Sequence, residues 1–258
     1  PTMETAGEAV SAVIAGGAIP AAMEIMDQPC VQAVEQTYRA GYPTDAGAVL
    51  LIDVDGLREG VAELAPQVAS VLRQQEATDL QVAEEAAQRD LLWSGRKGAM
   101  GALGRIQPNY YLHDGVVPRT RLPQVLHEVR SIAAREQLPV ANMFHAGDGN
   151  LHPCILFDLR QRGILDKVLA AGADMLRAVV EAGGTLSGEH GIGNEKNAYM
   201  PWIFGPDDLD AMHRVKDVFD PRGLSNPGKI FPPQEKREAG DGAHEGVRTG
   251  FCAEARWW

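Results

Sequence analysis

Leu138-Pro-Val-Ala-Asn-Met-Phe-His145-Ala-Gly-Asp-Gly-Asn-Leu-His152-Pro-Cys-Ile-Leu-Phe-Asp158 decides how the chain is read. Two largely apolar runs, VANMFH and HPCILF, flank AGDGN. Glycine, aspartate and asparagine are the residues that tolerate a left-handed backbone and bond their own chain, so this pentapeptide predicts a reversal between two strands. On one uninterrupted strand, His145 and His152 would face opposite ways. Folded back on each other, they bring two imidazoles to one point, where a cation or another polar partner is needed once they are buried. Two unrelated surface histidines at a hairpin tip remain the plainer alternative, because HxxxxxxH is not a recognised metal spacing.

Helical and extended patterns alternate on both sides of this segment. AVLLIDVDG (48–56) predicts a strand closed by Asp55-Gly56. A helix is expected from Leu57 to Ala77, with Val61, Leu64, Val68, Val71 and Leu72 on one face. LQVA (80–83) offers a short strand, and a second helix is expected from Glu84 through Trp93. Towards the N-terminus, GEAVSAVIAGG and AAMEIMD both carry helical spacing. VVP (116–118) reads as a strand end, and LPQVLHEVRSIAAREQ as a helix with Pro123 in its first turn. A long helix from Arg160 to Ala182 stops at Gly183-Gly184. TLSGEHGIG then reads as a glycine-rich loop and DDLDAMHRVKDVF as a last helix. The order predicts an α+β sandwich over residues 1–232. Residues 233–258, charged and without periodicity, are expected to form an irregular tail ending in Trp257-Trp258.

Composition narrows the classes of function. The 258 residues are 45% hydrophobic and 23% charged, as in ordinary globular domains. Lysines and arginines number 24 against 35 acids, a net charge of −11, which disfavours phosphate backbones and anionic membranes as partners. Cys30, Cys154 and Cys252 are scattered, which supports neither a disulfide framework nor a zinc ribbon and suits a reducing, cytoplasmic setting. No apolar run approaches transmembrane length, and PTMETAGEAV has neither a basic leader nor an initiator methionine.

A second constellation is Gly184-Thr-Leu-Ser-Gly-Glu189-His190-Gly191-Ile-Gly193. Glycines on both sides of Glu189-His190 allow close approach of a ligand. Two histidines and a carboxylate would leave open positions on a metal, with His190 beside them as a base; a bland flexible loop is the alternative. Arg96 and Lys97 follow Trp93 near the expected helix end. A guanidinium there can clamp a carboxylate or act as a solvated cap.

LWSGRKGAMGALGRI, YYLHDGVVPRTRLP, VANMFHAGDGNLHPCILFD, GGTLSGEHGIGNEK and FDPRGLSNPGKIF occur in this order. Together they resemble the C-terminal domain of FAD-linked oxidases of the vanillyl-alcohol-oxidase type, in the branch of glycolate oxidase and D-lactate dehydrogenase flavin subunits. The resemblance implies a ferredoxin-like cap domain: an antiparallel sheet with packed helices. It implies His145, His152 and Glu189 as ligands of a divalent metal (zinc, iron(II) or manganese), His190 as general base and Arg96 as carboxylate anchor. It also places Asn226, in NPGK, on the FAD side.

The implied activity is oxidation of a 2-hydroxy acid by hydride transfer to FAD. Cys154 and Leu112 stand where relatives acting on dicarboxylates carry polar groups, so a short monocarboxylate, glycolate or D-lactate, is expected. The N-terminal FAD-binding domain of the family has no counterpart here, so the chain is expected to be a fragment or a half that needs a flavin-binding partner and does not turn over alone. Companion glycolate oxidase subunits, and through them the inner face of the membrane, are the implied surroundings. A flavin-free metal hydrolase and a non-catalytic metal-binding module are the rival readings.

Overall fold

The computed structural model describes residues 2–233; the expected tail from 234 onward, with Cys252 and Trp257-Trp258, lies outside the described residues. Its elements are α1 (Met3–Ala15), β1 (Ala22–Asp27), α2 (Gln28–Thr37), β2 (Ala48–Asp53), α3 (Arg58–Gln74) and α4 (Ala86–Leu103), then β3 (Asn109–Leu112), β4 (Gly115–Val116), α5 (Leu122–Arg135), β5 (Val140–His145), β6 (Asn150–Leu151), β7 (Pro153–Phe157), α6 (Ile164–Glu181) and α7 (Pro206–Phe219). All strand pairings are antiparallel, in the order β2-β1-β5-β6-β4, with β7 beside β5 and β3 beside β7. The α+β class, an antiparallel sheet with packed helices, is therefore as expected.

The register is more regular than the segment list suggests. Asn142 faces Pro153 and His145 faces Asn150, one continuous ladder, so β6 and β7 form a single strand interrupted at His152. Leu112 faces Cys154 and Gly115 faces Leu151, so β3 and β4 likewise form one strand interrupted at His113-Asp114. The AGDGN reversal is real: Ala146–Gly149 turn the chain, Asn150 N–H bonds Asp148 Oδ1 at 3.0 Å, and Gly149 adopts φ +81°.

Period-2 alternation sorts the sheet into two faces. Ile25, Phe144, Leu151, Ile155 and Phe157 pack under α1, α5 and α6 with Val10, Leu126 and Met175. Met26, Ala141, Met143, Cys154 and Leu156 pack under α2 and α4 with Val31, Ala99 and Leu103. The second face carries the polar end described below. Among the described residues, no helix is long and apolar enough to cross a membrane.

Four local expectations need correction. AMEIMD is not helical but the second strand of the sheet, buried along nearly its whole length and paired on both edges; a strand covered on both faces has no alternation to reveal it. LQVA is irregular. NYYL, unread as a strand, is β3. The helix expected to end at Trp93 continues to Leu103, which puts Arg96 in mid-helix. Gly95 and Gly98 look like stops, but they are the contact with α2 and the turn after it. A Cβ on Gly95 would meet Tyr42 at 2.7 Å, and one on Gly98 would strike the Tyr38 ring.

Candidate active site

The ladder explains why the two imidazoles meet. His145 faces Asn150, and His152 lies two residues further along the same strand, so they are diagonal neighbours on one sheet face. Their ring centroids are 5.2 Å apart. His152 is buried and His145 partly exposed. The 185–193 loop brings Glu189 against both: its Oε1 is 3.1 Å from His152 Nε2 and 3.4 Å from His145 Nε2. His190 stacks on His152 with centroids 5.0 Å apart, and its Nε2 is 3.6 Å from the same Glu189 oxygen.

Each sheet-borne ring is held by its other nitrogen. Glu24, facing His145 across β1 and β5, accepts from His145 Nδ1 at 2.6 Å and raises that imidazole's pKa. The His113 carbonyl accepts from His152 Nδ1 at 3.0 Å, while burial lowers the pKa of His152. A carbonyl can only accept, so Nδ1 carries the proton and neutral His152 presents a lone pair from Nε2. Glu189 Oε1, 3.1 Å away, presents another. Two acceptors at that separation require a shared proton or cation.

The donor set fits a divalent cation. Separations of 3.1 and 3.4 Å are those of donors bound to one ion at about 2.0–2.2 Å. A hydrogen bond from each Nδ1 to a carboxylate or carbonyl is the usual support of metal-bearing imidazoles. Mutual distance alone groups Asp114, His152, Glu189 and His190, with ligand atoms within 4.8 Å of one another. Asp114 differs from the others in having its oxygens already engaged by Ser187, the 188–190 amides and Lys196. His145, outside that grouping, has Nε2 turned to Glu189.

Arg96 is neither a solvated cap nor free: its Nε and Nη2 donate to Glu24 Oε2 at 3.0 and 2.8 Å, and it is largely buried. Glu24 thus joins Arg96 to His145. Asn226 does not join the cluster. It is exposed, in a segment tied to the site loop where Ile230 N–H bonds the Gly193 carbonyl at 2.6 Å and the Asn197 amide bonds the Gly228 carbonyl at 3.0 Å. Cys154 and Leu112 are cross-strand partners; Cys154 is fully buried in the core beneath α2 and α4, with Leu112 packed against that core, and burial pushes the Cys154 thiol up to about 12.

Sequence reasoning missed Glu24, His113, Asp114 and Lys196. Only the LHDG tetrapeptide, with adjacent ionisable residues amid apolar ones, hinted at two of them.

A family model described as "FAD linked oxidases, C-terminal domain" matches residues 1–230. The chain is 46% identical over 231 residues to "Glycolate oxidase subunit GlcD" of Escherichia coli K12, covering 90% of this chain and 46% of the relative. It is 33% identical over 219 residues to "D-lactate dehydrogenase" of Anaerostipes hadrus, covering 82% of this chain and 46% of that protein. The chain spans about half the length of the curated relatives it matches. Among solved structures, p-cresol methylhydroxylase shares the fold with a TM-score of 0.60 at 15% identity, over 90% of this chain and 51% of that one.

Proposed function

The chain belongs to the FAD linked oxidases, as their C-terminal domain, and on that premise we propose that it is the substrate-binding and catalytic half of a flavin-dependent 2-hydroxy-acid oxidoreductase of the glycolate oxidase type. The observation that carries this reading is the convergence of His145, His152 and His190 on one oxygen of Glu189. When bound, a divalent cation at His145, His152 and Glu189 supplies Lewis acidity, and FAD, held mainly outside this chain, supplies the oxidant.

The chain's own residues do the rest. His190, its side chain 39% exposed, receives the substrate's hydroxyl proton at Nε2. Arg96 orients the carboxylate with the guanidinium N–H groups that Glu24 does not take. Cys154, buried two residues beyond His152, and Leu112 opposite it offer a second carboxylate no charged partner, which supports a short monocarboxylate. Asn226 faces the flavin-binding part, contributed by the rest of a longer polypeptide or a separate chain. Companion subunits carry electrons onward, on the cytoplasmic side and peripheral to the inner membrane. The 33% identity to a D-lactate dehydrogenase favours one second reading, D-lactate as substrate; steady-state rates on both acids separate the two.

The test is His190→Asn in the flavin-loaded protein. Turnover should fall about 100- to 10,000-fold with bound metal unchanged by elemental analysis. Undiminished turnover removes His190 from the mechanism. Metal content unaffected by His152→Ala and Glu189→Gln removes the ion site.

A further inference from the structure

Glu189 and His190 come from a stretch with neither helix nor strand, yet their backbone is fixed from one direction. Asp114 is fully buried and takes the position beside His152 in the continued β4–β6 register. Its Oδ2 accepts from the Ser187 hydroxyl at 2.5 Å, the Gly188 amide at 3.1 Å, the His190 amide at 2.9 Å and Lys196 Nζ at 3.4 Å. Its Oδ1 accepts from the Glu189 amide at 3.2 Å. Ser187 Oγ in turn accepts from the Gly191 amide at 2.7 Å, which closes the loop on itself. Burial opposes the charge on Asp114, but these donors and the Lys196 ammonium outweigh it and hold the carboxyl well below the usual range. The adjacent residue, His113, supplies the carbonyl that orients the His152 ring.

We propose that His113-Asp114, the interruption in the β3–β4 strand, is the positioning element of the site. The His113 carbonyl fixes the tautomer and angle of His152. The Asp114 carboxylate fixes the loop that presents Glu189 and His190, so one dipeptide sets the distance between a sheet-borne imidazole and a loop-borne carboxylate. Lys196, itself buried, offsets the charge that this arrangement places in the interior. Asp114 acts through Glu189 and His190 rather than as a ligand: its Oδ2 is taken by four donors and its Oδ1 accepts from the Glu189 amide. The proposal rests on the reading of His145, His152 and Glu189 as an ion site.

The test uses the 258-residue chain, with amide hydrogen exchange measured in EDTA and zinc binding measured by calorimetry. Asp114→Asn removes the charge and one acceptor. Exchange at the 188–190 amides should then quicken at least about tenfold, and the zinc dissociation constant should rise about 10- to 100-fold, the usual cost of losing an orienting group. Unchanged exchange overturns the proposal. So does faster exchange with unaltered zinc affinity, and so does lost zinc binding with unaltered exchange, which would make Asp114 a ligand. Should Asp114→Asn fail to fold, Ser187→Ala removes one donor to Asp114 together with the acceptor of the Gly191 amide, leaves the Asp114 charge in place, and must move both readouts in the same direction by a smaller factor. A wild-type chain that binds no zinc, manganese or iron(II) refutes the ion site instead, and the loop-holding role of Asp114 is then decided by exchange alone.

Discussion

The two sides of the site are built in different ways. His145 and His152 sit on a hairpin that keeps one register from Val140–Ile155 to His145–Asn150, in the middle of a sheet with packing on both faces. Glu189 and His190 sit on a loop whose backbone conformation is dictated by one buried carboxylate and by the closeness of Gly188 to the sheet. Hairpin geometry is therefore global stability under another name, whereas loop geometry is a local equilibrium that can shift while the fold stays intact. The comparison predicts that damage to the hairpin unfolds the protein and that damage to the loop disables the site.

Gly149 is the place to break the hairpin. It adopts φ +81°, and a Cβ there would drive into the carbonyl oxygen of Val117, which is backbone and cannot step aside. That same pair of residues is joined by the Val117 N–H to Gly149 carbonyl bond at 3.0 Å. Gly149→Ala combines left-handed strain with a backbone clash and is expected to cost about 4 kcal/mol. Urea denaturation reads this as a lower midpoint at unchanged slope; a loss under about 1 kcal/mol would show that the turn can relax.

The far end of the hairpin carries a pH-dependent tie. Asp27, the N-cap of α2, accepts from the Asn142 amide and side chain at 2.7 and 2.8 Å and from the Cys30 amide at 3.1 Å. All three bonds favour its charge, but burial outweighs them and raises its pKa to about 6 from 3.8. The folded chain thus holds this proton more tightly than the unfolded chain does. The contribution is complete below about pH 4 and is lost as pH rises through 6, a change of about 3 kcal/mol. Asp27→Asn cannot ionise, so stability plotted against pH between 4 and 6.5 should flatten relative to wild type. An unchanged difference across that window would mean that Asp27 is charged throughout.

How far the sequence revealed these regions follows from the same contrast. A reversal written in AGDGN is local chemistry, and so the convergence of His145 and His152 was legible before any coordinates. The glycines around Glu189-His190 signalled close approach without saying to what. Glu24 is silent, and LHDG hints at Asp114 without giving its role, because both roles come from cross-strand register: Glu24 stands opposite His145, and Asp114 stands beside His152, partners far removed in the chain. AMEIMD carries no strand signal because burial on both faces erases its alternation. The length of α4 is hidden in the sequence because glycines that lie against Tyr38 and Tyr42 are indistinguishable, in one dimension, from helix stops.

The smallest expected effect on stability falls on the loop, and there the contrast is sharpest. Gly188 has an ordinary φ, and a Cβ there would meet Val116 Cγ2 at 2.6 Å and the Asn150 amide group at 2.7 Å, all side-chain atoms. Those atoms can yield only by pushing the loop outward from the sheet, since Asn150 is itself buried in the strand that carries His152. Gly188→Ala should therefore cost only about 1 kcal/mol in urea denaturation, below the Gly149 and Asp27 effects. It should nonetheless lengthen the Glu189–His152 approach and weaken zinc binding about tenfold or more. A variant that loses several kcal/mol of stability would show that the loop and the hairpin are one cooperative unit rather than two, and one that keeps full zinc affinity at near-wild-type stability would show that the Val116 and Asn150 side chains step aside and leave the loop in place.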